Sequence, residues 1–253
     1  MSGFVAELHK LLTLRAVQGC AAAAIGCTGL LTWLNGRGVR AAHLSGDAAG
    51  SSPELIGAGE LLVVVAMLAA IGVLAAGQEY RAMPEDLGGG RQASTSALAG
   101  PDVSRSLASK LGALAVFGSV VAVIASVTAL WVADVALVEL ALPLTQERWA
   151  EQGRGALYAV LTALLGAVLT VLLRNGLVPM IYLVANSLVI SVGYLLTQVT
   201  PLAWYLPDTA GMALLRPPDE QFQPSPLVGA SVMIAWIVAF GVAALVLQRR
   251  RDT

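Results

Sequence analysis

Of 253 residues, 57% are hydrophobic and 12% charged, with a mean hydropathy of +0.76 and a formal net charge of −1. A soluble domain carries about a quarter charged residues, so half that level, gathered between long apolar runs, excludes a water-facing globule and makes lipid the solvent for much of the chain. No basic patch interleaved with aromatics invites a nucleic acid, and His9 and His43 stand far apart with no ligand cluster around them, so no metal site is expected.

The chain opens on an apolar stripe, Phe4, Val5, Leu8, Leu11 and Leu12, with Glu7 and Lys10 on the other side. It is too short to span, and residues 1–15 are predicted to lie as an interfacial amphipathic helix. Six runs of spanning length follow, at 16–35, 56–77, 111–133, 157–173, 177–199 and 227–247. The first run exceeds the roughly 7–15 apolar residues of a signal peptide and has no basic segment right at its start, so a retained span is expected. It holds both cysteines, Cys20 and Cys27, about 10.5 Å apart along a helix, too far for a disulfide. Gly19, Ala22, Gly26 and Gly29 in the same run read as a packing surface. The predicted class is thus an all-α polytopic membrane protein, one transmembrane domain over 1–253.

Six crossings put both termini on one side of the membrane. On that side fall Lys10, Arg15, Arg81, Arg91, Arg105, Lys110, Arg174, Arg249, Arg250 and Arg251, ten of the 15 Lys and Arg. The positive-inside rule makes that side cytoplasmic, N-in and C-in, in a multi-pass cell-membrane protein. The cytoplasmic connection 78–110 holds Met83-Pro84, Gly88-Gly89-Gly90 and Ser94-Thr95-Ser96, which break helices. The outer segment 200–226 carries Pro201, Pro207, Pro217, Pro218, Pro224 and Pro226, with one short helix predicted over 208–215 and Asp208 as its cap. Leu202, Trp204, Tyr205 and Leu206 suit the membrane interface.

The only lysines, Lys10 and Lys110, follow His9 and Ser109, so there is no GxxxxGK[ST] phosphate loop and no hydrolysis of nucleotide by this chain. The glycine triplet has no such lysine behind it and reads as a hinge. No Ser/His/Asp or Cys/His arrangement supports acyl transfer or proteolysis. No carboxylate, histidine or basic residue lies near the middle of a run, since Glu60 and Asp134 sit toward the outer ends, which argues against an ion-driven carrier. In the fifth run Ser187, Ser191, Tyr194 and Gln198 recur at helical spacing, with Tyr182 and Asn186 on an adjoining face. Such a face serves either as one wall of a substrate pathway or as interhelical hydrogen bonding in a packed bundle.

The order of several short motifs resembles the membrane subunit of a type 2 ABC exporter, in the branch common among high-GC Gram-positive (actinobacterial) species. They are Glu7-Leu8-His9-Lys10-Leu11-Leu12-Thr13-Leu14-Arg15, Gly77-Gln78-Glu79-Tyr80-Arg81, Gly88-Gly89-Gly90-Arg91-Gln92, and Leu98-Ala99-Gly100-Pro101 through Arg105 and Lys110. Later come Leu172-Leu173-Arg174-Asn175, the stretch from Tyr205-Leu206-Pro207-Asp208 to Leu215, and Arg249-Arg250-Arg251-Asp252. The resemblance implies two permease subunits, identical or homologous, forming an efflux pathway above two separately encoded ATPase subunits that bind ATP and Mg. It places ATPase coupling on Glu79, Tyr80 and Arg81 and leaves no cofactor in this chain. Extra residues between Arg81 and Gly88, including Met83-Pro84-Glu85-Asp86, depart from the commonest form of that family. From the residues alone, an ATPase-independent carrier or channel and a non-transporting membrane scaffold are the competing readings.

Overall fold

The computed structural model describes residues 3–46, 52–80, 103–188, 191–215 and 224–251. Among them every regular element is helical. Four helices are long and apolar enough to cross a bilayer: α2 (Arg15–Leu44), α4 (Val103–Leu137), α5 (Gln146–Leu173) and α9 (Pro226–Arg251). The chain is therefore an all-α membrane protein. Between and before them come α1 (Gly3–Thr13), α3 (Leu61–Gly77), α6 (Leu177–Leu188), α7 (Val192–Thr197) and α8 (Pro207–Met212).

Helix α3 is the centre. Twelve of its 17 residues are buried, on every face, as suits a helix that is hydrophobic all round. Lipid is as apolar as leucine, so close packing rather than water exclusion must hold such a helix in place. The α3–α5 seam does this with small residues: Gly72 lies so near the Ala163 carbonyl that any side chain would collide with it. Gly77 faces Thr170 further along, so α3 and α5 run parallel. Helix α4 runs antiparallel to both, with Gly118 against Leu68 and Val160, while α2 runs parallel to α4, with Gly29 near Thr128 and Gly36 near Ala136. The outward faces of α2, α4 and α9 are apolar, with Leu30, Trp131 and Val238 all more than half exposed, as a lipid-facing surface requires.

Helix α1 forms as predicted and ends at Leu14, whose extended backbone separates it from α2. It packs on the start of α4, Phe4 against Gly112. The long helices overrun their predicted limits because polar residues continue the helix beyond the apolar run. Helix α5 starts eleven residues before 157, where the Thr145 hydroxyl accepts from Arg148 N at 3.3 Å.

Three sequence expectations need correction. The run 56–77 is helical only from Leu61, because Gly57 adopts a left-handed backbone (φ 94°) and the Glu60 carboxylate folds back to accept from Gly57 N at 2.8 Å. The single helix predicted over 177–199 is instead α6 and α7. The Asn186 side-chain oxygen accepts from Val192 N at 2.9 Å and the Ser191 hydroxyl caps α7 by accepting from Tyr194 N at 3.0 Å, so side chains take the place of the helical ladder. Helix α8 is shorter than 208–215, and its N-cap is Leu206, because Pro207 occupies the first turn. Asp208 is thus freed from capping its own helix.

Candidate functional site

Helix α8 is not at the surface. Asp208, Thr209, Ala210 and Gly211 are all buried within the bundle. The buried Thr209 hydroxyl is satisfied by donating to the Ala203 and Leu206 carbonyls. Asp208, only 6% exposed, reaches the break between α6 and α7. Its Oδ2 accepts from Ser191 Oγ and from Gly193 N, both at 2.9 Å. Gly193 is required there, because a Cβ at that position would strike the carboxylate.

The other oxygen, Oδ1, is buried and has no hydrogen-bond partner among the described residues. Asp208 lines a small cavity, about 10 Å³, between α5, α6, α8 and α9. Tyr158, Thr162, Tyr182, Asn186 and Ser187 supply its polar lining, with Leu165, Leu183, Pro207 and Met233 closing it; no Lys, Arg or His is among them. Tyr158 stands near the start of the apolar stretch of α5, which the polar residues from Gln146 precede, so this carboxylate meets the N-terminal part of that stretch. Asp208 belongs to the segment expected to form an outer loop, yet its carboxylate is buried in the bundle. Composition along the chain hid it, since Asp208 arrives by a segment that reads as an outer loop.

The predicted pathway residues divide. Ser191 is bonded to Asp208, and Asn186 and Ser187 line the cavity beside it. Ser187 Oγ also donates to the Leu183 carbonyl at 2.7 Å, and Tyr194 is half-buried on α7. Gln198 closes the end of α7 and is exposed. They do not share one helical face, because the helix that would give them one is broken. Tyr158, Thr162 and Asp208 went unpredicted at this site; the available signal was an acidic residue followed by Thr209-Ala210-Gly211, small enough to be buried.

At the opposite end of α3, the turn Gln78–Tyr80 continues the helix. The Tyr80 hydroxyl accepts from Gln248 Nε2 at 3.3 Å, joining the ends of α3 and α9. Tyr80, with Val73, Gly77, Arg174, Asn175 and Met180, lines a cavity of about 430 Å³. Of the three predicted coupling residues, the Glu79 side chain and Arg81 lie outside the described residues.

Chemically, Ser191 and Asp208 lack an imidazole between or beside them: His9 is on α1 and His43 is at the end of α2. No group of three His, Cys, Asp or Glu assembles among the described residues. No family model matches the chain, and no curated protein matches it.

Proposed function

We propose that this chain is the membrane permease subunit of an ATP-driven exporter, crossing the membrane six times with both termini cytoplasmic. It pairs with a second permease, identical or homologous, above two separate ATPase subunits that carry ATP and Mg. The chain itself is not an enzyme. The observation that carries the reading is the position of Gln78–Tyr80 at the tip of the most deeply buried helix, tied to Gln248 of α9. Force applied at that turn passes along a stiff, close-packed rod into the centre of the bundle. ATP binding and hydrolysis in the partner would then bias two arrangements of the permease. Glu79 and Arg81 supply charge for the docking contact, and the absence of a phosphate loop leaves the energy to the partner. Asn186, Ser187, Ser191, Tyr194 and Gln198 remain the proposed pathway residues, at its outer half.

Affinity purification from native membranes tests the assignment. A companion ATPase at about equal stoichiometry is expected, and E79A or R81A should keep the permease in the membrane while uncoupling hydrolysis from export. Unchanged substrate-stimulated export in both variants would remove the coupling role. A second reading, an ion-driven carrier, is favoured by one feature: a carboxylate inside the bundle. Transport sustained by an ion gradient without ATP would select it.

A further inference from the structure

We propose that Asp208 anchors a binding site for one small monovalent cation, a proton or a sodium ion, enclosed by α5, α6 and α8. The site is distinct from ATPase coupling and does not rest on it. The first ground is electrostatic. Asp208 is 6% exposed, its Oδ2 is saturated by two donors, and its Oδ1 has none. A buried ion without a counter-charge is strongly destabilising, and hydrogen bonds to one oxygen do not neutralise it. Among the described residues no Lys, Arg or His lines the cavity, so nothing in the lining supplies the missing positive charge.

The second ground is size. About 10 Å³ is at the limit for a single water-sized occupant. A proton or a dehydrated sodium ion fits; a substrate amine with its carbon skeleton does not. The third is the chemistry of the lining. Hard cations take oxygen ligands, and the lining includes the oxygen-bearing side chains of Asp208, Tyr158, Tyr182, Asn186 and Ser187. The titratable groups facing Asp208 are Tyr158 from α5 and Tyr182 from α6; α7 presents Gly193, and α9 presents Met233. Both phenols are neutral at physiological pH, so they solvate a cation without competing for its charge.

The site also has a mechanical consequence. Asp208 is on α8, its hydrogen-bond partners are Ser191 at the α6–α7 break and Gly193 on α7, and α5 and α6 line the cavity beside it. The cation therefore binds only while α8 is docked, and its binding favours that docked state by mass action. Loss of the cation would release α8 and open the outer part of the bundle.

The test uses the full-length purified chain in lipid nanodiscs, with choline chloride holding ionic strength constant. One sodium per chain, measured with radioactive sodium, assigns the site to sodium. In that case NaCl at about tenfold above its dissociation constant raises Tm by roughly 3–6 °C. The carbonyl stretch of a protonated carboxylic acid in the wild-type infrared spectrum assigns it to the proton. D208N, which keeps an acceptor for Ser191 and Gly193 but has no charge, abolishes whichever response is seen. Wild-type protein that binds no sodium and shows no protonated acid overturns the proposal, as does a D208N variant with the same sodium stoichiometry or infrared band. Two negative wild-type measurements overturn the proposal even if D208N does not fold, and in that event D208S takes its place in the comparison.

Discussion

Glu60 and Asp208 are buried to nearly the same degree, 7% and 6% exposed, yet they are used differently. Glu60 spends both oxygens: Oε1 accepts from Asn35 Nδ2 and Oε2 from Gly57 N, each at 2.8 Å. Gln152 completes the knot by donating to the Gly57 carbonyl at 3.0 Å. Together they fasten α2, the turn before α3, and α5. Asp208 spends one oxygen on two donors and leaves the other, among the described residues, without a partner. A saturated buried carboxylate holds a fold together; a half-saturated one keeps a valence open for something that comes and goes. Burial alone does not separate the two roles. The partner count does.

The largest expected effect breaks the fastener. E60L strands the Asn35 amide and the Gly57 N–H, each at about 1–3 kcal/mol, so a loss on the order of 3 kcal/mol is expected in thermal unfolding. E60Q is milder, about 1–2 kcal/mol, because its amide turns one donor against another. The isosteric change at the other carboxylate should run the opposite way. D208N removes a buried charge while keeping an acceptor, and stability in choline chloride is expected to be unchanged or higher. Equal destabilisation by E60Q and D208N would erase the distinction between the sites.

S191A removes the cap of α7 and one donor to Asp208, for an expected loss of about 1 kcal/mol. Restoration of most of that loss by Thr at the same position would tie the effect to the hydroxyl. The smallest change is Y182F, on the partly exposed side of the cavity, with stability shifted by at most about 0.5 kcal/mol. It sharpens the contrast if cation affinity falls while stability does not.

Much of the fold was legible because span length and apolar stripes are local properties. Phe4, Leu8 and Leu11 announce α1, and the long runs announce α2, α4, α5 and α9. The break after α6 was not legible in the same way. Asn186 and Ser191 match a helical face by spacing, and their choice of backbone donors depends on the local turn they jointly make. The burial of α8 was less legible still. It needs Gly193 beside the Asp208 carboxylate and the α5 and α9 surfaces to receive it, contacts that join segments far apart in the chain. Part of the pathway guess landed near the site for a simple reason: Asn186, Ser187 and Ser191 are polar in an apolar run, and polar groups there seek one another.

Reconstitution into liposomes tests the energy source most directly. Export is expected only when the companion ATPase and hydrolysable ATP are both present, and to stop when the ATPase is omitted. Solute movement by this chain alone, with no ATP-hydrolysing subunit in the vesicles, would contradict the permease assignment.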